Sequence, residues 1–159
     1  INVLTGGGGN DSLSAGAGND HLNGGLGRDT LDPGTGSDVF DYTAVAESTG
    51  ADRDLILGFR ADGRDRINLP TVPTGIDAIV SQGILRSASF DADLRAAVGA
   101  TKLAAGHAVL FDPSNGDLNV AGHVYLVVDS NGIAGYQPGK DYVFELVDPT
   151  GTPTADWFV

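Results

Sequence analysis

Apolar side chains return at every ninth position along the first quarter of the chain: Leu4, Leu13, Leu22, Leu31 and Phe40. Gly9, Gly18, Gly27 and Gly36 keep the same step, as do Asp11, Asp20, Asp29 and Asp38. In register the units read GGGGNDSLS, AGAGNDHLN, GGLGRDTLD and PGTGSDVFD, after NVLT, the tail of an earlier unit with Asn2 at the Asp position. Three position classes holding one period define an internal repeat. Each unit divides into a Gly-rich turn ending in Asp and a short strand. The turn must enter positive φ, which Gly does without Cβ strain. The middle strand residue points inward, because neighbours alternate faces. One buried Leu per unit contributes about 1.5–3 kcal/mol. Ordering the backbone costs roughly 1–2 kcal/mol for every residue of the unit. Apolar packing alone leaves such a repeat unfolded.

Beyond Tyr42 the period is lost and alternation replaces it. Residues 54–59 (DLILGF) and 65–69 (DRINL) predict two strands around a turn at Ala61-Asp62-Gly63. A stack of repeats needs a cap over its apolar end, and this segment is placed to supply one. PTVPTG, residues 70–75, reads as a boundary. The stretch from Ser89 to Val98 predicts a helix, with Ser89 as N-cap, Asp91 and Asp93 in the first turn, and Phe90, Leu94 and Val98 on one face. HAVLFD, DLNV, HVYLVVD, GIAGY and DYVFELV then predict an antiparallel sheet of four or five strands carrying that helix. Asp129-Ser130-Asn131-Gly132 reads as a hairpin turn, with a surface calcium loop as the alternative. The expected fold class is mainly β: a parallel β-roll (β-helix) at 1–41, its cap at 42–70, and a small α+β domain at 71–159.

Composition narrows the chemistry. The formal net charge is −12, and of 21 acidic residues only Glu47 and Glu145 are Glu. Asp favours turns and short-reach ligation. The charge argues against nucleic acid and anionic membrane, and suits cations. No Cys is present, which removes disulfides and thiolate zinc sites. No apolar run reaches the length of a membrane span. The chain starts at Ile1 without Met and reads as a fragment of a longer protein. H-E-x-x-H, G-x-S-x-G, a phosphate-binding loop and a Cys nucleophile are all missing from the sequence, so no enzymatic role is expected.

The turns bring backbone carbonyls and Asp carboxylates together, hard oxygen donors suited to Ca²⁺. Gathered carboxylates repel until a cation joins them, so folding and ion binding are expected to be coupled. A flexible Gly/Asp linker has no reason to keep an apolar residue at every ninth position. Residues 1–41 resemble the repeats-in-toxin (RTX) family of bacterial secreted proteins. That resemblance implies ions held between units n and n+2, through carbonyls of the second and fourth residues of the earlier unit and the first and third of the later one. One ion is then expected at Gly7, Gly9 and Asp11 with Gly24, Leu26 and Asp29. A second is expected at Gly16, Gly18 and Asp20 with Pro33, Thr35 and Asp38. The resemblance thus implies at least two calcium ions. Ala15 and Pro33 depart from the consensus at a position that needs only a carbonyl. Half-sites remain at Gly6 and Gly8, and at Gly25, Gly27, Gly34 and Gly36. Residues 54–69 resemble the segment after the repeats in serralysin-type metalloproteases and alginate epimerase modules. Glu47, Asp52 and Asp54 are either a terminal ion site or solvated loop carboxylates.

Ala155-Asp156-Trp157-Phe158-Val159 reads either as a strand finishing the sheet or, by resemblance to RTX proteins, as a C-terminal export signal. Residues 80–159 resemble C-terminal domains of other type I secreted proteins. The resemblance implies a Gram-negative bacterial protein, secreted and extracellular, with a type I ABC-transporter machine as partner. His21 is expected to face solvent, and His107 and His123 to be structural. The alternative function is an adhesion or polysaccharide-binding module contacting a glycan or cell surface. Its only candidate anion contacts are Arg53, Arg60, Arg64 and Arg66, which equally serve to balance nearby Asp.

Overall fold

A computed structural model describes residues 1–159 except 61 and 63, so the turn expected at Ala61-Asp62-Gly63 lies outside the described residues. The molecule is mostly β with one short helix. Its first strands are β1 (Val3–Gly8), β2 (Ser12–Ser14), β3 (His21–Leu26), β4 (Thr30–Asp32) and β5 (Val39–Asp41). β6 (Leu55–Leu57) and β7 (Arg66–Asn68) follow from the alternating segment. The odd-numbered strands pair in parallel in the order β1-β3-β5-β7. β2, β4 and β6 pair in parallel in a second sheet. Leu4 therefore lies beside Leu22 and Leu13 beside Leu31, two units on in each case. Leu22, Leu31, Phe40, Ile56 and Ile67 are fully buried, each the second residue of its strand and pointing inward.

The carboxy-terminal region adds β8 (Gly75–Ile76), α1 (Phe90–Ala97), β9 (His107–Phe111), β10 (His123–Val128) and β11 (Tyr142–Val147). β9, β10 and β11 are antiparallel, and β8 joins β9 in parallel. β11 also pairs in parallel with β6, making one seven-stranded sheet, β2-β4-β6-β11-β10-β9-β8. Side chains alternate along the antiparallel strands, and both faces are buried. Ala108, Leu110, Leu126, Val128, Phe144 and Leu146 join the apolar interior of the repeats. Val109, Phe111, Tyr125, Val127 and Val143 pack instead with Phe90, Leu94 and Val98 of the helix region.

Several expectations differ in detail. Ser89 is the N-cap residue as expected and the helix begins at Phe90, but the Ser89 hydroxyl bonds the Asp93 carboxylate and caps no backbone N–H. The antiparallel sheet has three strands, not four or five, because neither DLNV nor GIAGY is extended. The Asp117 carboxylate instead takes the Ser87 N–H and hydroxyl, at 2.8 and 2.6 Å. Gly135 and Tyr136 donate to the carbonyls of Leu103 and Val98 around the helix end. A Cβ on Gly135 would stand 2.7 Å from the Ala100 nitrogen. Asp129 does form a turn, its Oδ1 accepting the N–H groups of Asn131 and Gly132, but the β10–β11 connection runs on to Asp141.

Candidate metal centre

The nine-residue step reappears as a carboxylate ladder. Asp11 donates its backbone N–H to Asp29 Oδ1 at 2.7 Å, and Asp29 does the same to Asp54 Oδ1 at 2.9 Å. In the second row Asn2 donates to Asp20 at 2.5 Å, Asp20 to Asp38 at 2.8 Å, and Asp38 to Asp65 at 3.1 Å. The carboxylates of Asp20, Asp29 and Asp38 are thereby tied through Oδ1 to the residue eighteen positions before, while Asp11 only donates. The other oxygen, Oδ2, of Asp11, Asp20, Asp29 and Asp38 is buried with no hydrogen-bond partner. Asp20, Asp29 and Asp38 have no exposed surface at all. A buried ionised oxygen without a partner is costly. Burial first, and neighbouring Asp charges with it, raise the carboxyl pKa of Asp29 and Asp38 above the usual range, although the N–H groups of Asp11 and Asp20 act the other way.

One backbone oxygen is placed beside a row carboxylate, and others face between units. A Cβ on Gly6 would lie 2.5 Å from the Gly24 carbonyl oxygen and 2.7 Å from Asp11 Oδ2. The Gly24 carbonyl thus points back to the earlier unit, beside the orphaned Asp11 oxygen. The Leu26 and Thr35 carbonyls also point back, accepting the N–H groups of Gly9 and Gly18 at 2.8 Å each. Gly7 and Gly9 aim their carbonyls forward at Gly25 and Gly27, and Gly16 and Gly18 aim theirs at Gly34 and Gly36. Gly25, at φ +95°, could not carry a side chain, because its Cβ would strike the Gly7 oxygen. Among the described residues, no group of three or more His, Asp or Glu side chains gathers at metal-binding distance. Two carboxylates plus carbonyls is a different donor set, and the orphaned oxygens fit a hard divalent cation.

The rows end differently. Asp54 Oδ2 accepts the Tyr42 hydroxyl at 2.8 Å, and its N–H donates to the Ser48 hydroxyl at 2.9 Å. Burial, against the bonds from Asp29 and Tyr42, lifts Asp54 to about 7. Asp65 Oδ2 accepts the Arg60 N–H at 2.8 Å. Glu47 is occupied with the N–H and hydroxyl of Thr43, and Asp52 is exposed, so neither bonds Asp54. The signal for Asp65 was the repeated acid before an apolar strand, hidden because its distance from Asp38 exceeds the repeat.

The other singled-out residues are engaged in the fold. His21 pairs with Asp41 at 2.8 Å, His107 with Asp77 at 3.0 Å and His123 with Glu145 at 2.8 Å. Arg53 is buried against Glu145 at 2.9 Å, its guanidinium 4.0 Å from the Phe90 ring centre. Arg60 turns toward Asp38 and Asp65, and Arg66 toward the Asp65 carbonyl.

These features define a stacked repeat lined with buried, unpartnered carboxylate oxygens. Residues 2–40 match the family model of the RTX calcium-binding nonapeptide repeat, in four copies. That block is an RTX repeat, and repeats of this family bind Ca²⁺. No curated protein matches the chain.

Proposed function

We propose that the chain is a calcium-responsive module whose repeats close into a parallel β-roll outside the cell, serving as the C-terminal structural and secretion module of a type I secreted protein. The buried, unpartnered Oδ2 atoms of Asp11, Asp20, Asp29 and Asp38 carry this reading. Gly7, Gly9, Asp11, Gly24, Leu26 and Asp29 hold one ion. Gly16, Gly18, Asp20, Pro33, Thr35 and Asp38 hold the next. Bound Ca²⁺ supplies positive charge that neutralises the gathered carboxylates; the chain supplies the preset carbonyls and the 18-residue stacking. Residues 1–41 act as the roll, 42–70 as its cap and 71–159 as the supporting domain.

Where calcium is scarce, carboxylate repulsion keeps the repeats open and the chain fit for threading through a transporter. The Ala155–Val159 tail is the export signal, read while the chain is unfolded. At the roughly 10⁻⁴–10⁻³ M calcium typical of extracellular modules, the repeats order. The absence of a helix long and apolar enough for a membrane span among the described residues is compatible with passage across a membrane. No catalytic role is assigned. The alternative of a glycan-binding surface keeps only Arg64, which is exposed, because Arg53, Arg60 and Arg66 are turned toward groups of this chain.

Circular dichroism tests the reading. Calcium should produce a large gain of β signal, and magnesium should not. Asp29→Ala removes a charged donor whose contacts are worth about 1.5–3 kcal/mol, so the calcium midpoint should rise roughly ten- to a hundredfold. A wild-type spectrum indifferent to calcium overturns the proposal.

A further inference from the structure

The second carboxylate row has one more place beyond Asp38, and a side chain already sits in it. Gly36 is the fourth residue of its unit, equivalent to Gly9 and Gly18. Arg60 Nη2 lies 3.3 Å from the Gly36 carbonyl oxygen. The same nitrogen is 3.7 Å from Asp38 Oδ2 and 3.9 Å from Asp65 Oδ1. Asp38 and Asp65 are fully buried, and Asp38 Oδ2 has no hydrogen-bond partner. The guanidinium thus faces a fourth-position carbonyl and two row carboxylates, the donor types proposed above to hold the ion one step earlier in the row. Its backbone fixes it there: the Arg60 N–H donates to Asp65 Oδ2 at 2.8 Å, and its carbonyl accepts the Asp65 N–H at 2.9 Å. Nε is buried without an acceptor, so charge attraction rather than a full set of hydrogen bonds holds the head in place.

We propose that Arg60 is a built-in substitute for a calcium ion: its guanidinium fills the third place of the second row and ends metal binding there. This rests on the calcium reading of the repeats. A guanidinium is permanently charged and planar. It lends one positive charge to two carboxylates without depending on the calcium level, so the negative charge at the capped end is halved before the metal places fill. The first row ends on the Tyr42 hydroxyl instead, with no cation supplied by that contact.

Replacing Arg60 by a neutral side chain should open a latent calcium place. Calcium bound per chain is counted after equilibrium dialysis, and calcium-induced ordering is followed by circular dichroism. Arg60→Met keeps the apolar stem, Arg60→Ala removes it, and Arg60→Lys keeps the charge. The expected result is one more calcium ion per chain than wild type in Arg60→Met and Arg60→Ala, and the wild-type number in Arg60→Lys. The double variant Arg60→Met with Asp65→Asn should lose the added ion. The proposal is overturned if the neutral variants order but hold the wild-type number. It is overturned equally if they fail to order in saturating calcium, since an ion should take the guanidinium's place, or if Arg60→Lys also gains an ion. Wild-type protein that binds no calcium would remove the underlying calcium reading instead, a separate outcome.

Discussion

At Gly25 two demands meet that no other residue satisfies. Its φ is +95°, and the Gly7 carbonyl occupies the space a Cβ would need. Gly7 shares the positive φ, +106°, but has nothing within 4 Å of the Cβ position. Backbone strain alone costs about 1–2 kcal/mol at either residue. Gly7→Ala should therefore raise the calcium midpoint of ordering by roughly tenfold. Gly25→Ala must also push apart the two stacked units, and should raise it distinctly further. Equal midpoints for the two variants in circular dichroism titrations would mean that the close approach of units does not limit assembly. The repeated Gly and Asp positions made the turns readable from sequence; the stacking of each unit on the second one along came only from the family resemblance. The division of labour within each carboxylate was not readable, because Oδ1 and Oδ2 are distinguished only once the unit two before supplies its N–H.

Among the elements, β11 connects the repeats to the rest. It pairs with β6 on one edge and β10 on the other, and Glu145 at its centre is buried against Arg53, Arg28 and His123. Burial pushes the Glu145 carboxyl up, but the His123 bond and the Arg53 and Arg28 charges outweigh it and hold it below the usual range. A lowered folded pKa gives stability that is full above the unfolded value, about 4.3, and is lost as pH falls through the folded value. Asp141, at the start of the same strand, behaves oppositely. Burial, with Asp129 nearby and against the N–H groups of Gln137 and Ser130, lifts it to about 6. Its ionisation opposes folding above that pH and stops doing so as pH falls toward the unfolded value. Urea unfolding in saturating calcium, compared variant against wild type at each pH, separates them. Glu145→Gln should lose the wild type's added weakening below about pH 4. It should be less stable than wild type at neutral pH by about 3–5 kcal/mol, because Arg53 is left buried without its partner. Asp141→Asn should lose the gain that wild type shows as pH falls from about 6 to about 4; a wild-type pH profile in either variant removes that assignment. The periodic strands and the helix stripe of Phe90, Leu94 and Val98 were legible in sequence. The β6–β11 pairing was not, since nothing local in two apolar runs so far apart specifies which edge meets which. DLNV and GIAGY misled for a related reason: Leu118 and Tyr136 pack from turns, where alternation means nothing, and Val120 and Ile133 are exposed.

Across the whole molecule, the last residues return to the stack that the first ones begin. Trp157 is fully buried, edge-on to Phe59 with ring centres 5.1 Å apart. Phe158 forms a parallel bridge with Ile67, and Val159 exchanges backbone bonds with Ile67 and Leu69 at 3.1 and 3.2 Å. The tail therefore covers the free edge of β7 and the apolar end of the repeats. Under the proposed export role the same residues serve twice, first as an exposed signal in an unfolded chain and later as a buried cover. The two uses do not conflict, because calcium separates them in place and time. Truncating a core Trp costs about 3–5 kcal/mol, so Trp157→Ala should fold only at markedly higher calcium. Because Trp157 also belongs to the proposed signal, Trp157→Ala should lower secretion of a fused passenger as well. Deleting residues 155–159 should impair both, raising the calcium midpoint and reducing passenger secretion to background. Undiminished secretion after the deletion would overturn the export role, and an unchanged calcium midpoint in Trp157→Ala would overturn the role as cover.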